Sequence, residues 1–163
     1  MNKEEVVDML RASCALQEDV QLQNGVTVEF LPVMDRLLED PITTNRLIVE
    51  LFQGFDPLLQ VQKRTKCILA ADEDKLFGFM GAAVGWCRSL YADVKGESAS
   101  FGHGFVLNKK EGVILAVPVI EDAAKVNALA SLVKRADAQL VGIICLANCL
   151  DGDELPAPVS SLL

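Results

Sequence analysis

Apolar residues in the middle of the chain follow two alternating rhythms. Leu76, Phe79, Met80, Ala83, Val84 and Cys87 recur at spacings of three and four, which marks one face of an α-helix. Val126, Leu129, Ala130 and Val133 make a second such stripe, and Leu47, Ile48, Leu51 and Phe52 a shorter third. Between the stripes lie short continuous apolar runs, Cys67–Ala70, Val113–Val117 and Leu140–Cys145. Runs of that length, flanked by charged residues or glycine, predict strands buried on both faces, as in a parallel sheet with both sides covered. Strand and helix therefore alternate from residue 66 to 147. That alternation predicts an α/β fold, doubly wound around a mainly parallel sheet.

The N-terminal part reads differently. A short helix over residues 3–12 and an extended piece around Gln21–Phe30, with a turn signal at Asn24-Gly25, precede the Leu47 stripe. Residues 1–60 are expected to form a small hood on an α/β core spanning 61–163, the 163 residues making a single domain. Near the other end, the acidic loop Asp151–Glu154 and the prolines Pro156 and Pro158 lead into a last short strand, Val159–Leu162.

Composition narrows the function classes. A 51% hydrophobic content excludes a disordered chain. No apolar run reaches the roughly 18 residues of a membrane span, and the opening Met1–Leu10 lacks the pattern of a secretion signal. Fifteen Lys and Arg against 23 Asp and Glu leave a net charge of −8, which repels nucleic-acid phosphates. The five cysteines, Cys14, Cys67, Cys87, Cys145 and Cys149, form no CxxC pair, so they are expected to be reduced core residues in a cytoplasmic protein rather than zinc ligands. Trp86, the sole tryptophan, is placed on a helix running from 76 to 89, partly buried or in a subunit contact. Lys134-Arg135 closes a helix, where cations suit the dipole.

Several segments carry a resemblance. Leu22-Gln23-Asn24-Gly25 after the opening helix, Val94-Lys95-Gly96-Glu97 running to Phe101-Gly102, the strand–loop–helix–strand unit from Gly112 to Gly142, and Leu155–Leu163 occur in the order of similar segments in the orotate phosphoribosyltransferase family of type I phosphoribosyltransferases. The resemblance implies a dimer and transfer of ribose 5-phosphate from phosphoribosyl diphosphate with Mg²⁺. It also implies an acidic pair, then a Gly/Thr-rich loop whose N–H groups cradle phosphate at a helix N-terminus.

The sequence departs from that pattern where the chemistry belongs. Pro118-Val119 stands in place of the acidic pair, followed by Ile120–Lys125 without Thr or Gly. The loop after the first core strand, Ala71-Asp72-Glu73-Asp74-Lys75, carries three carboxylates where pyrophosphate would approach. Gln23 replaces a lysine of the hood turn, and Gly96, Ala99 and Phe101 dilute the basic segment.

Glu121 and Asp122 are either the displaced acidic pair or residues of a helix first turn. Three readings follow. The first is a binding or regulatory protein that has lost phosphoribosyl diphosphate and needs no cofactor. It would act as a homodimer or with a related subunit, with a small molecule in the cleft. The second is an active orotate-type transferase with Glu121 and Asp122 on ribose or Mg²⁺ and Lys95 and His103 on pyrophosphate. The third is another small-molecule activity in which Asp72, Asp74, Glu121 and Asp122 hold a hard cation or form a solvated rim. Ser98, Ser100 and His103 lie close in sequence without a legible nucleophile–base pair.

Overall fold

The computed structural model describes residues 1–55, 65–102, 104–150 and 155–163. The chain opens on helix α1, Lys3–Ala12, held by a reciprocal capping box in which the Asn2 side chain accepts from the Glu5 N–H at 2.9 Å and the Glu5 carboxylate accepts from the Asn2 N–H at 2.8 Å. Strands β1, Leu16–Gln21, and β2, Thr27–Pro32, form an antiparallel hairpin. Its turn uses Gly25 at φ 85°, the left-handed backbone that glycine adopts without steric cost. The extended piece expected at Gln21–Phe30 is thus the turn and much of the second strand. The short helix α2, Met34–Leu38, leads to α3, Pro41–Gln53, which starts with Pro41 in its first turn and with Asp40 accepting from the Thr43 N–H.

The sheet follows. Its strands are β3, Thr65–Ala71; β4, Arg88–Lys95; β5, Ser98–Phe101; β6, Gly112–Ala116; β8, Gln139–Cys145; and β10, Val159–Ser161. Their spatial order is β10-β8-β6-β3-β4-β5, and every neighbouring pair is parallel except β4 and β5. Helix α4, Lys75–Gly85, links β3 to β4, and α5, Ala124–Arg135, links β6 to β8. One apolar cluster joins α4 with Leu10, Leu37, Leu47 and Leu51 of the N-terminal helices on one face of the sheet. A second cluster packs Val126, Leu129 and Val133 of α5 on the other. The expected doubly wound, mainly parallel α/β fold is the fold observed. Two-residue strands β7, Val119–Ile120, and β9, Ala147–Asn148, pair in parallel beyond the ends of β6 and β8.

Three expectations need correction. The apolar stripe Leu76-Phe79-Met80-Ala83-Val84-Cys87 is not the buried face of α4. The buried positions are Phe77, Gly78, Gly81 and Ala82, whereas Leu76 and Phe79 are exposed. Glycine is needed beside Phe77 on that face because the helix lies close to the sheet: a Cβ on Gly78 would come within 2.8 Å of the Ala70 Cβ. The helix also stops at Gly85, not at residue 89. Trp86 caps it in left-handed backbone at φ 52° and is 95% exposed, and β4 starts two residues later. Of the cysteines, Cys67 and Cys145 are buried, Cys87 and Cys149 are half-buried, and Cys14 is exposed. No helix among the described residues is long and apolar enough to cross a membrane.

Candidate functional site

In a parallel sheet the loops that leave the carboxyl ends of the strands share one edge, and ligands bind there. Because β3 and β6 are neighbours, the turn after β3 and the segment after β6 face each other across that edge. The first is a 3₁₀ turn, Asp72–Asp74, feeding α4. The second runs from Val117 to Ala123 and feeds α5. Together with Gln23 of the hairpin turn, Leu31, Pro32 and Met34 behind it, and Val94 and Gly96 of the β4–β5 hairpin, they enclose a cavity of about 720 Å³.

Lys125, in the first turn of α5, forms an ion pair with the Glu73 carboxylate and another with Asp74, at 2.9 Å from Nζ to Oδ2. Lys125, the one lysine lining the cavity among the described residues, is therefore shared by two carboxylates from the opposite loop. Burial raises the Asp74 carboxyl above its ordinary range, only partly opposed by Lys125. Burial also works to lower the Lys125 pKa, but the hydrogen bonds and charges of Glu73 and Asp74 outweigh it, and the net direction is up.

The segment after β6 is committed in the same manner. Its first residues run as strand: the Val117 N–H donates to the Ile144 carbonyl at 3.1 Å, Pro118 O accepts from Leu146 N–H at 2.8 Å, and Ile120 O accepts from Cys149 N–H at 2.9 Å. At the start of α5 the Asp122 carboxylate accepts from the Ala124 N–H at 2.8 Å. A carboxylate of the chain itself thus occupies a donor at the helix end where an external anion would be received. The Asn24 amide reaches the Glu121 carbonyl at 3.5 Å, bringing the hood turn up to the same segment.

Three of the six residues singled out from the sequence line this cavity. Glu121 and Asp122 line the cavity and are exposed, but they precede α5 instead of forming its first turn. Asp74 lines it with Lys125. Asp72 does not: it is paired with Lys75 at 3.0 Å and borders a different depression with Tyr91, Asp93 and Gly102. Of the other two, Lys95 extends into solvent beside Asp93, while its neighbours Val94 and Gly96 line the cavity. His103 lies outside the described residues. Among the described residues no three His, Cys, Asp or Glu side chains converge on a point that would hold a metal ion, so Asp72, Asp74, Glu121 and Asp122 do not form one cation site. Ser98 hydrogen-bonds the Lys95 carbonyl within its own hairpin.

Glu73 was read from the sequence only as one of three carboxylates in its loop, and Lys125 was given no role. The available signal was positional: an acidic turn after one strand and a lysine in the helix after another meet only if the two strands are adjacent.

No protein-family model and no curated protein matches the sequence. Solved structures do match over nearly the whole chain. Adenine phosphoribosyltransferase from Rhodothermus marinus is 18% identical with a TM-score of 0.71, covering 98% of this chain and 98% of that one. Orotate phosphoribosyltransferase from Aeropyrum pernix is 14% identical with a TM-score of 0.72, covering 96% and 92%. Adenine phosphoribosyltransferase from Saccharomyces cerevisiae is 17% identical with a TM-score of 0.68, covering 98% and 99%. With TM-scores of 0.68 to 0.72 over nearly the full length of both chains, the chain has the fold of the type I phosphoribosyltransferases.

Proposed function

We propose that this protein is a phosphoribosyltransferase-fold binding or regulatory protein, of orotate-type descent, that does not bind or transfer phosphoribosyl diphosphate. The observation that carries the reading is the state of Lys125. A cleft that receives pyrophosphate and a 5-phosphate needs preorganised cations and free backbone N–H groups. Here Glu73 and Asp74 hold the cleft's lysine, and Asp122 holds an N–H at the head of α5. Counting Glu73, Asp74, Glu121 and Asp122 against Lys125, the cavity lining carries a surplus of negative charge. An incoming anion meets repulsion, and it gains the lysine only by displacing two carboxylates that already satisfy it. The ligand chemistry that suits such a cleft is neutral or cationic and rich in hydrogen-bond donors.

Calorimetric titration with phosphoribosyl diphosphate and Mg²⁺ at low salt tests the proposal. No saturable heat at millimolar ligand is the expected result. Saturable binding overturns it, and orotate transfer then becomes the activity to assay.

A further inference from the structure

The hood turn carries a reactive dipeptide. Of the chain's six asparagines, only Asn24 is followed by glycine. The side-chain carbonyl of an asparagine is open to attack by the backbone nitrogen of the next residue, which closes a cyclic imide. Glycine at that next position has no Cβ to block the approach. The turn presents the pair openly: residues 23–27 are all exposed, and nothing lies within 4 Å of where a Gly25 Cβ would stand. The Val26 N–H donates to Asn24 Oδ1 at 3.0 Å, an Asx turn. That bond draws electron density from Cγ and folds the amide back over the Gly25 backbone. One bond opposes the reaction. The Gly25 N–H donates to the Leu22 carbonyl at 2.9 Å, so the turn must open before the nitrogen attacks. An exposed loop tip is where a fold opens at least cost.

We infer that Asn24 is a site of spontaneous deamidation that releases the hood turn from the cleft. The Gly25 nitrogen loses its proton to solvent and bonds to Asn24 Cγ, the Cγ–Nδ2 bond breaks, and the amide leaves as ammonia. Water then opens the imide. Attack at Cγ leaves aspartate, and attack at the backbone carbonyl carbon leaves isoaspartate. The reaction uses no other reactant.

The product changes a contact of the cleft. Asn24 Nδ2 donates to the Glu121 carbonyl at 3.5 Å, a long bond that a carboxylate does not make. The new charge instead faces a carbonyl on the segment that also carries the Glu121 and Asp122 carboxylates, and it adjoins Gln23, which lines the cavity. Like charges repel there, and isoaspartate also inserts a methylene into the backbone of the turn. Both effects move the hood turn off the segment between β6 and α5. The inference does not depend on what the cleft binds.

Incubation of the full chain at neutral pH and physiological temperature, followed by mass spectrometry of its tryptic peptides, reads the reaction. Asn24 should convert ahead of the other five asparagines, to a mixture of isoaspartate and aspartate. Conversion should quicken as pH rises, because the attacking nitrogen must lose a proton. A synthetic peptide of residues 21–27 in the same buffer serves as the clock, and N24Q, whose longer side chain cyclises far more slowly, should keep its amide. An Asn24 still intact once the peptide has converted, or one that converts no sooner than the other asparagines, overturns the inference. Hydrogen exchange reads the consequence separately. Both N24D, checked for folding by circular dichroism, and aged wild-type protein should lose protection in residues 22–26 and 117–123 relative to fresh wild type. Unchanged exchange in both segments overturns the release of the hood turn.

Discussion

Replacing Lys125 with methionine tests whether the ion triad holds the two loops of the cleft together. Methionine keeps most of the apolar stem, so the change removes chiefly the charge. At 2.9 Å and an effective dielectric constant of about 20, the Lys125–Asp74 attraction is about 6 kcal/mol before desolvation is subtracted. Removing one partner of a fully buried pair costs about 3–5 kcal/mol. Here the lysine side chain is 29% exposed, Asp74 14% and Glu73 68%, so Glu73 relaxes into water and most of the loss falls on Asp74.

A loss of about 2 kcal/mol is the expected result, a shift of about 1 M in the urea midpoint for a protein of this size. Its pH dependence has a definite sign. Asp74 already titrates above its ordinary value because it is buried, and without Lys125 its charged form is disfavoured further. Protonation removes that buried charge, so the difference between variant and wild type is full near neutrality and shrinks as pH falls through the Asp74 pKa. Urea unfolding followed by circular dichroism at neutral pH and at about pH 4 measures both quantities. An unchanged midpoint at neutral pH, or a loss that persists undiminished in acid, refutes the assignment of the triad as a structural clasp.

Other perturbations probe separate parts of the argument. The double variant E73Q/D74N frees Lys125, and inorganic pyrophosphate, silent in calorimetry with wild type, should then bind measurably though weakly; continued silence would show that the lysine is not what the carboxylates withhold. G78A places a methyl group 2.8 Å from the Ala70 Cβ, an overpacking that costs about 1–3 kcal/mol against about 1 kcal/mol gained in helix propensity, so the melting temperature should fall. A melting temperature above wild type would mean that α4 does not need its close approach to β3. Burial pushes the Cys67 thiol from 9.0 up to about 12 and Cys145 to about 11. In the native protein a thiol reagent should therefore modify exposed Cys14 rapidly, and Cys67 and Cys145 only on unfolding. Between pH 9 and about 12 the unfolded chain gives up thiol protons that the folded chain retains, so stability should fall as pH rises through that window. A flat alkaline profile would contradict the burial of Cys67.

The layers of this fold were legible in the chain wherever a helix has one apolar side. Leu47, Ile48, Leu51 and Phe52 on α3, and Val126, Leu129 and Val133 on α5, are all buried as their spacing predicts. The central strands were legible for the complementary reason: β6 and the runs Cys67–Ala71 of β3 and Leu140–Cys145 of β8 are continuously apolar because both faces of the sheet are covered. Helix α4 defeated the same reasoning. When every position is apolar, periodicity cannot choose a face: Phe77 and the small residues Gly78, Gly81 and Ala82 are buried, while Leu76 and Phe79 are turned out. Strand β4 was hidden behind that error, since its buried Leu90 and Ala92 alternate with the half-buried Ser89 and Tyr91 and give no continuous apolar run.

The cleft divides along the same line. Its acidic character could be read from Asp72–Asp74 and Glu121-Asp122, because charge is a property of composition. Which acid meets which base is a property of strand order. Asp72 and Asp74, two residues apart, end at different depressions, while Asp74 and Lys125, far apart in sequence, share a proton-bearing contact because β3 lies beside β6. An ion pair between two crossover connections is set by topology, and only the assembled sheet reveals that the lysine of this cleft is already taken.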